Sequence, residues 1–191
     1  DGPTHEPVEQ GAQIRLMEKL HNHAGRPSVM VLRPADAEET TAAWKMAMEN
    51  IYTPTALILS RQDVTSVPNT SAEGVKKGAY IVSQDENPQV VMLASGSEVS
   101  TLMAGAELLR AEGIRLQIVS VPSEAIFRQQ SKEYQAEVLP QGVTRFGLTA
   151  GLPCNLEGLV GEHGTVWGLN SFGFSAPYKV LDEKLGFTAE N

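Results

Sequence analysis

Short apolar runs that are rich in β-branched residues alternate along the chain with stretches in which apolar residues recur every three or four positions. The runs SVMVLR (28–33) and TALILSR (55–61) predict buried strands. Asp36, with Glu39 in the same helical turn, forms a capping pattern at the start of a helix between them. Residues 28–61 are therefore predicted to form a βαβ unit with parallel strands. The apolar stripe predicted for its helix consists of Ala43, Trp44, Ala47 and Met48.

A polar, turn-rich stretch at 63–78 follows and is the best candidate for a linker between domains. The region beyond it alternates again, and its helix from 97 ends at Gly113, a residue suited to a left-handed cap. Its predicted strands lie at 79–82, 89–94, 114–121, 144–149 and 165–169. We therefore predict an α/β fold: an incomplete parallel βαβ segment over 1–62, then a complete three-layer α/β domain over 79–191 with a mainly parallel five-stranded sheet.

The first region is expected to be the end of a larger domain. One βαβ unit with a preceding helix, roughly 7–20, leaves sheet edges open and one hydrophobic face uncovered. The chain also opens in a loop, DGPTHEPVEQ, without an initiator methionine. We therefore expect that the earlier strands of this domain, an N-terminal portion, are missing from the chain.

Charge and composition exclude several classes of partner. The 191 residues include 23 acidic and 15 basic side chains, for a formal net charge of −8, and no basic stripe, so no nucleic-acid partner is expected. The longest apolar runs, such as VVMLA, are far shorter than the roughly 18 residues of a membrane helix, so no membrane partner is expected. The single cysteine, Cys154, is interpreted as a buried structural thiol and is compatible with a cytoplasmic location.

Two arginines end the predicted strands of the βαβ unit, Arg33 on the first and Arg61 on the second. Ligands of open parallel sheets collect at the carboxyl ends of the strands, where a guanidinium is well placed to hold a phosphate through two hydrogen bonds. The alternative is a salt bridge that fixes a loop. Position alone favours this alternative for both arginines.

His5 lies in a Gly-Pro loop before a helix that is predicted to begin near Pro7. Its imidazole is suited to a sugar hydroxyl near a helix N-terminus, and a surface histidine beside a cap is an equally good interpretation. The grouping of Asp1, His5 and Glu6 matches no metal-ligand spacing, so no metal site is predicted in this chain.

The turn ASGSEVS (94–100) has the outline of a phosphate-binding turn: a strand, a glycine-containing loop and a helix start. It lacks the further glycines of a dinucleotide fingerprint and the lysine of a P-loop. Ser97 as an N-cap and Glu98 as a favourable charge at the helix dipole explain it instead. The segment SFGFSAP (171–177) is likewise interpreted as a helix-entry turn.

Several motifs in order resemble those of the transketolases, and the resemblance covers essentially the whole chain. It implies the end of a pyrimidine-binding domain followed by the C-terminal domain. The chain departs from the family pattern at Glu6, where glutamine is usual, and at Thr149, where glutamate is common. The motifs are DGPTHEPVEQ, VLRPADAEET, TPTALILSRQ, LASGSEVS, SFGFSAP and LGFTAEN.

The resemblance implies an enzyme of the pentose phosphate pathway that transfers a two-carbon ketol unit from a ketose phosphate to an aldose phosphate. Such enzymes are homodimers that use thiamine diphosphate and a divalent cation, Mg²⁺ or Ca²⁺. By resemblance, Asp1 recognises a substrate hydroxyl, His5 is catalytic and contacts hydroxyls near the reacting carbons, and Arg61 binds the sugar phosphate. For Arg33 the salt-bridge interpretation stands.

The resemblance also implies what this chain does not contain. The glutamate that activates the cofactor, the aromatic pocket, and the diphosphate and metal site belong to segments outside it. We therefore expect the chain alone to bind no cofactor and to be inactive without the N-terminal portion. Two alternatives stay open: another thiamine-dependent enzyme, such as deoxyxylulose-phosphate synthase or the β-subunit of a 2-oxoacid dehydrogenase, and a non-catalytic dimerisation or regulatory module.

Overall fold

Helices and strands alternate through the part of the chain that the computed structural model describes, residues 4–191. The helices are α1 Gln10–Met17, α2 Ala37–Glu49, α3 Ala72–Lys77, α4 Glu98–Ala111, α5 Glu124–Arg128, α6 Lys132–Val138, α7 Cys154–Val160 and α8 Tyr178–Leu185. The strands are β1 Met30–Leu32, β2 Thr55–Leu57, β3 Tyr80–Gln84, β4 Val90–Ala94, β5 Leu116–Ser120, β6 Thr144–Leu148 and β7 Thr165–Trp167. Asp1 lies outside the described residues.

The predicted βαβ unit is present. Strands β1 and β2 pair in parallel, with Val31 opposite Ala56, and α2 connects them. The Asp36 carboxylate accepts a hydrogen bond of 3.0 Å from the backbone N–H of Glu39, as the capping pattern predicts. The carboxylate of Glu39 turns inward and accepts from the N–H of Ala35 at 2.7 Å.

The apolar stripe predicted for α2 is wrong in part. Ala43 is buried, whereas Trp44 and Met48 are 52% and 76% exposed. The buried residues of this helix are Glu39, Ala42 and Ala43. The helix therefore packs on the rest of the fold with the side that carries Glu39. A stripe of large apolar side chains on α2 therefore faces outward in this chain.

The second sheet has the predicted architecture, with five strands in the order β3-β5-β4-β6-β7. Strand β3 pairs antiparallel with β5, and the other pairs are parallel. Alternate residues of β4 supply two hydrophobic clusters, because successive side chains point to opposite faces. Met92 and Ala94 join the cluster that also contains Leu32 of β1, and Val91 and Leu93 join the other.

The connections around β4 and β6 leave toward opposite faces of this sheet. Helix α4 follows β4 and packs on the first face with Val99, Leu102 and Ala106. Helix α7 follows β6 and packs on the second face with Leu156 and Leu159. Neighbouring parallel strands with such connections define a topological switch point, where open α/β sheets form binding crevices.

Several local predictions differ from the structure. The first helix begins at Gln10 rather than near Pro7, so Pro7 is not in its first turn. The helical stretch at 124–139 is divided into α5 and α6, since the chain turns at Gln129 and the hydroxyl of Ser131 caps the new helix. Helices α3 and α7 were not predicted.

Two hydrogen bonds to Asp36 attach residues 63–78 to the βαβ unit. The backbone N–H of Val67 donates to Asp36 Oδ2 at 3.0 Å, and the hydroxyl of Thr70 donates to the same oxygen at 2.8 Å. The stretch also contains α3, which ends at Gly78 in the left-handed conformation. The division of the chain at residues 63–78 stays a prediction.

Candidate functional site

Of the three side chains predicted to bind substrate, Asp1 lies outside the described residues, and His5 and Arg61 are both exposed. His5 lies in a turn, with Nδ1 2.8 Å from the hydroxyl of Thr4. Because α1 begins only at Gln10, the free amides at its N-terminus are not next to the imidazole. Arg61 follows β2, and within residues 4–191 no carboxylate lies within 4.0 Å of its guanidinium.

Residues next to His5 and next to Arg61 line the same cavity, which has a volume of about 370 Å³. Glu6 and Pro7 enter it from the His5 side, and Gln62 and Asp63 enter it from the Arg61 side. The start of α4 and one side of α8 also line it. The structure therefore brings the two predicted segments to one concavity, although neither His5 nor Arg61 is among its lining residues.

The segment SFGFSAP does more than enter α8. The backbone N–H of Gly173 donates a hydrogen bond of 2.8 Å to the carbonyl of Glu6. A side chain at Gly173 would contact Glu6, with a Cβ only 3.5 Å from the Glu6 Cβ. This segment therefore holds the loop that carries His5, a pairing between distant parts of the chain that sequence reasoning did not find.

Arg33 has the salt bridge that its position favours. Its Nη1 lies 2.6 Å from Glu98 Oε2, and its Nη2 donates to Glu98 Oε1 at 2.9 Å. Nη1 also donates to the carbonyl of Ser95. Burial acts to lower the pKa of Arg33, and the charge and hydrogen bond of Glu98 outweigh it, so the pKa lies above its usual value.

The interpretation of ASGSEVS as a simple helix cap is right in position and wrong in part. Ser97 is at the N-cap position of α4 and Glu98 is in its first turn, but Ser97 makes no side-chain capping hydrogen bond, because its backbone is already helical. Glu98 points away from the helix axis toward Arg33, and its Oε1 also accepts from the N–H of Ala150 at 3.0 Å. The role of Glu98 is therefore to join the loops after β1, β4 and β6.

A buried carboxylate, Glu39, joins α2 to the second sheet. The hydroxyls of Tyr80 on β3 and Ser120 on β5 donate to its Oε1 at 2.7 Å and 2.6 Å. Burial raises the pKa of Glu39, and the hydrogen bonds from its donors act in the opposite direction. Burial and the charge of Glu39 raise the pKa of the Tyr80 hydroxyl, which keeps this hydroxyl protonated as a donor.

A second buried carboxylate, Glu18, lies at the end of α1. Its Oε1 accepts a hydrogen bond of 2.9 Å from the backbone N–H of Val31 in β1. Burial raises the pKa of Glu18 to about 7, while the hydrogen bond from Val31 acts to lower it. This carboxyl therefore changes its charge near neutral pH.

Cys154 and Thr149, two residues noted in the sequence, lie in different environments. Cys154 is exposed rather than buried, because it occupies the first position of α7, and the inward side of that turn is taken by Asn155 and Leu156. Thr149, where the resembled family commonly has glutamate, is buried, and its hydroxyl accepts from the N–H of Gly151 at 3.2 Å. The threonine thus closes a turn after β6.

Within residues 4–191, no three histidine, cysteine, aspartate or glutamate side chains are grouped so that they would hold a metal ion. None of the helices in this range combines the length and the apolar character that crossing a bilayer requires.

Two family models match the chain. The model described as "Transketolase, pyrimidine binding domain" matches residues 1–66, and the model described as "Transketolase-like TK C-terminal domain" matches residues 78–188. The curated transketolase of Geobacillus stearothermophilus is 44% identical over 197 residues, with 100% of this chain and 28% of the relative covered. The transketolase of Staphylococcus aureus (strain MW2) is 43% identical over 196 residues, with the same shares. The chain thus spans 28% of the length of these relatives.

Solved structures have the same fold. A transketolase from Leishmania mexicana superimposes with a TM-score of 0.88 at 40% identity, covering 100% of this chain and 26% of that one. A structure titled "Split gene transketolase, inactive beta4 tetramer" superimposes with a TM-score of 0.75 at 25% identity, covering 99% of this chain and 60% of that one.

Proposed function

The chain belongs to the transketolase family, and we propose that it supplies the sugar-binding part of an enzyme that transfers a two-carbon ketol unit between phosphorylated sugars. The observation that carries this proposal is the shared cavity, because residues adjoining His5 and Arg61 line it from two sides. These two side chains come from segments that are distant in sequence. A common cavity is what a bound sugar phosphate would require of them.

Each side chain has a separate role toward the sugar. Arg61 binds the phosphate through charge-assisted hydrogen bonds, which fits a guanidinium with no carboxylate partner in residues 4–191. His5 donates to or accepts from hydroxyls near the reacting carbons. Asp1 recognises a further hydroxyl and lies outside the described residues. Glu6 places a carboxylate on the cavity wall and reduces its affinity for phosphate.

The electron-accepting chemistry of the reaction belongs to thiamine diphosphate, which stabilises the carbanion when it is bound. Residues 4–191 contain no group of side chains that fits a divalent cation, so we assign the Mg²⁺ or Ca²⁺ and the diphosphate to the rest of the enzyme. In this proposal the chain binds and orients the sugars and catalyses nothing alone. Its partners are the remaining part of the enzyme and a second copy, in the cytoplasm.

Exposed apolar side chains in α1 and the βαβ unit support a partner protein on this part of the surface. Large apolar residues of α1 and of the region around α2 face outward, and surfaces of this kind mark interfaces. They include Leu16, Leu20, Trp44, Met48, Ile51 and Tyr52. The alternatives of another thiamine-dependent enzyme or a non-catalytic module have less support, since transketolases match the whole chain.

A chimera tests the proposal. This chain replaces the matched region of the Geobacillus stearothermophilus relative, and ketol transfer is measured between a ketose phosphate and an aldose phosphate. We expect transfer by the chimera and none by the 191-residue chain alone. A folded, dimeric chimera that binds thiamine diphosphate and still transfers nothing would contradict the proposal.

A further inference from the structure

A cavity of about 230 Å³ that contains two arginines lies at the topological switch point of the second sheet. Its walls include Ser95 after β4 and residues 149–151 after β6. These are the neighbouring strands whose connections pass to opposite faces through α4 and α7. We term it the switch-point cavity; it adjoins the cavity near His5 and Arg61, with which it shares Pro7, Val8 and Ala150.

One of the two arginines in the switch-point cavity has no carboxylate partner. Arg33 is neutralised by Glu98. Arg15 donates only to uncharged oxygens, the carbonyl of Asn155 at 3.0 Å and the hydroxyl of Ser95 at 3.3 Å. Within the described part of the chain, no carboxylate lies within 4.0 Å of the Arg15 guanidinium.

The positive charge of Arg15 is costly where it lies. Burial, together with the charge of Arg33, lowers the pKa of Arg15, and more distant carboxylates oppose this only in part. A partly buried guanidinium beside a second one is stabilised most directly by an anion. The switch-point cavity is the space in which such an anion would contact Arg15.

An unpaired acceptor also faces this cavity. Asn155 is 7% exposed, and its buried Oδ1 has no hydrogen-bond partner among residues 4–191. Gly151 makes room for the amide, since a Cβ there would lie only 2.7 Å from Nδ2. Buried polar atoms usually have a hydrogen-bond partner, so Oδ1 is suited to a ligand that donates a hydrogen bond.

We propose that the switch-point cavity binds a protonated phosphate group. Hydrogen phosphate carries negative oxygens for Arg15 and an O–H donor for Asn155 on one small tetrahedral ion. Sulfate has the same shape without the proton at neutral pH. The phosphate group comes from inorganic phosphate or from a small phosphate monoester, and a monoester, with a second pKa of about 6, has lost its O–H at pH 8.

Calorimetric titration of the 191-residue chain at pH 8 tests this site. The probes are inorganic phosphate, sulfate and glycerol 3-phosphate at matched ionic strength. We expect one phosphate per chain and roughly tenfold weaker binding of sulfate, the difference of one hydrogen bond to an ion. Glycerol 3-phosphate binding as weakly as sulfate identifies inorganic phosphate as the source, whereas binding as tightly as phosphate would show that the O–H is not required and would overturn the proposal.

Variants separate this site from the one beside Arg61. In an Arg61→Ala background, which removes the phosphate-binding side chain assigned to the sugar site, Arg15→Met keeps an unbranched apolar stem without the guanidinium and should weaken phosphate binding tenfold or more. Arg115→Ala, at an exposed arginine, should leave it unchanged in the same background. Asn155→Leu should remove the preference for phosphate over sulfate. Unchanged phosphate affinity in Arg15→Met would overturn the proposal, whatever the chimera shows about ketol transfer.

Stability measurements keep the test decisive if Arg15→Met does not fold. Arg15→Lys retains the charge with a less suited donor geometry, and we expect it to bind phosphate more weakly than the wild type. In the wild type, phosphate should raise the unfolding temperature more than sulfate does at equal concentration. Equal shifts from the two anions would overturn the proposal.

Discussion

Arg33 and Glu98, which are 65 residues apart in sequence, form an ion pair that joins the βαβ unit to the second sheet. Nη1 of Arg33 lies 2.6 Å from Oε2 of Glu98, and the two side chains are 18% and 5% exposed. The same carboxylate accepts from the N–H of Ala150. This one side chain thus fixes the relative positions of three loops that line the cavities described above.

Breaking this pair should destabilise the fold. Arg33→Met leaves the Glu98 carboxylate buried without its cation, which we expect to lower the free energy of unfolding by about 3 kcal/mol. The double variant Arg33→Met with Glu98→Met should recover part of the loss, because no charge is left unpaired. Urea unfolding at neutral pH measures both.

Lys45→Met is the matched control, since Lys45 pairs with Glu49 at 4.0 Å on the surface. It should change the unfolding free energy very little. If Arg33→Met were as stable as Lys45→Met, the Arg33–Glu98 ion pair would not be what holds the βαβ unit to the second sheet.

The hydroxyl of Tyr80 should contribute measurably to stability. Tyr80→Phe removes the donor to Glu39 and the acceptor for the N–H of Ser71. We expect a loss of about 1–3 kcal/mol in unfolding free energy, because a buried carboxylate loses a hydrogen bond. Tyr178→Phe, at an exposed tyrosine, should be neutral in the same denaturation experiment. Equal stability of the two variants would show that the Glu39 cluster does not join α2 to the second sheet.

Stability should depend on pH through Glu18. Its pKa is raised from 4.5 to about 7, so the folded chain binds more protons than the unfolded chain between these values. Stability should therefore fall as pH rises through this window and level off above about 7. Glu18→Gln keeps an acceptor for Val31 and removes the charge, so it should lack this decline.

The measurement is the difference in unfolding free energy between the wild type and Glu18→Gln, taken from pH 4.5 to pH 8. Other titrating groups act in both proteins and cancel in the difference. A constant difference for Glu18→Gln would mean that Glu18 has an ordinary pKa.

Sequence patterns predicted those parts of the fold that depend on neighbours along the chain. The apolar runs of β4 and β5 are recognisable because these strands are buried on both faces. The cap at Asp36 is a local hydrogen bond. Which face of α2 packs inward depends on distant strands, and for this reason Trp44 and Met48 were misjudged.

The candidate site was predictable only in its motifs. The resemblance pointed to His5 and Arg61, and the cavity that their sequence neighbours line depends on long-range packing that spacing does not reveal. The partner of Arg33 is 65 residues away, and the unpaired oxygen of Asn155 has no sequence signature at all. Such features require the three-dimensional arrangement of loops after several strands.

Removing the His5 side chain should lower kcat/KM to a similar extent for all substrates. In the chimera, His5→Ala removes hydrogen bonds to hydroxyls near the reacting carbons, worth about 0.5–1.5 kcal/mol for each bond. We expect kcat/KM to fall roughly two- to tenfold per lost bond for phosphorylated and unphosphorylated sugars alike. His21→Ala, at another exposed histidine, serves as the control and should leave kcat/KM unchanged. A loss confined to phosphorylated sugars would assign His5 to the phosphate instead.

A variant at Arg61 tests the central claim, that this chain binds the phosphate of a sugar in a shared cleft. The measurement is KM for a phosphorylated and an unphosphorylated acceptor in the chimera carrying Arg61→Ala, with exposed Arg115→Ala as the control. Loss of about 1.5–3 kcal/mol should raise KM for the phosphorylated acceptor roughly ten- to a hundredfold and leave the unphosphorylated one nearly unchanged. An equal rise for both acceptors, or none for either, would contradict the account.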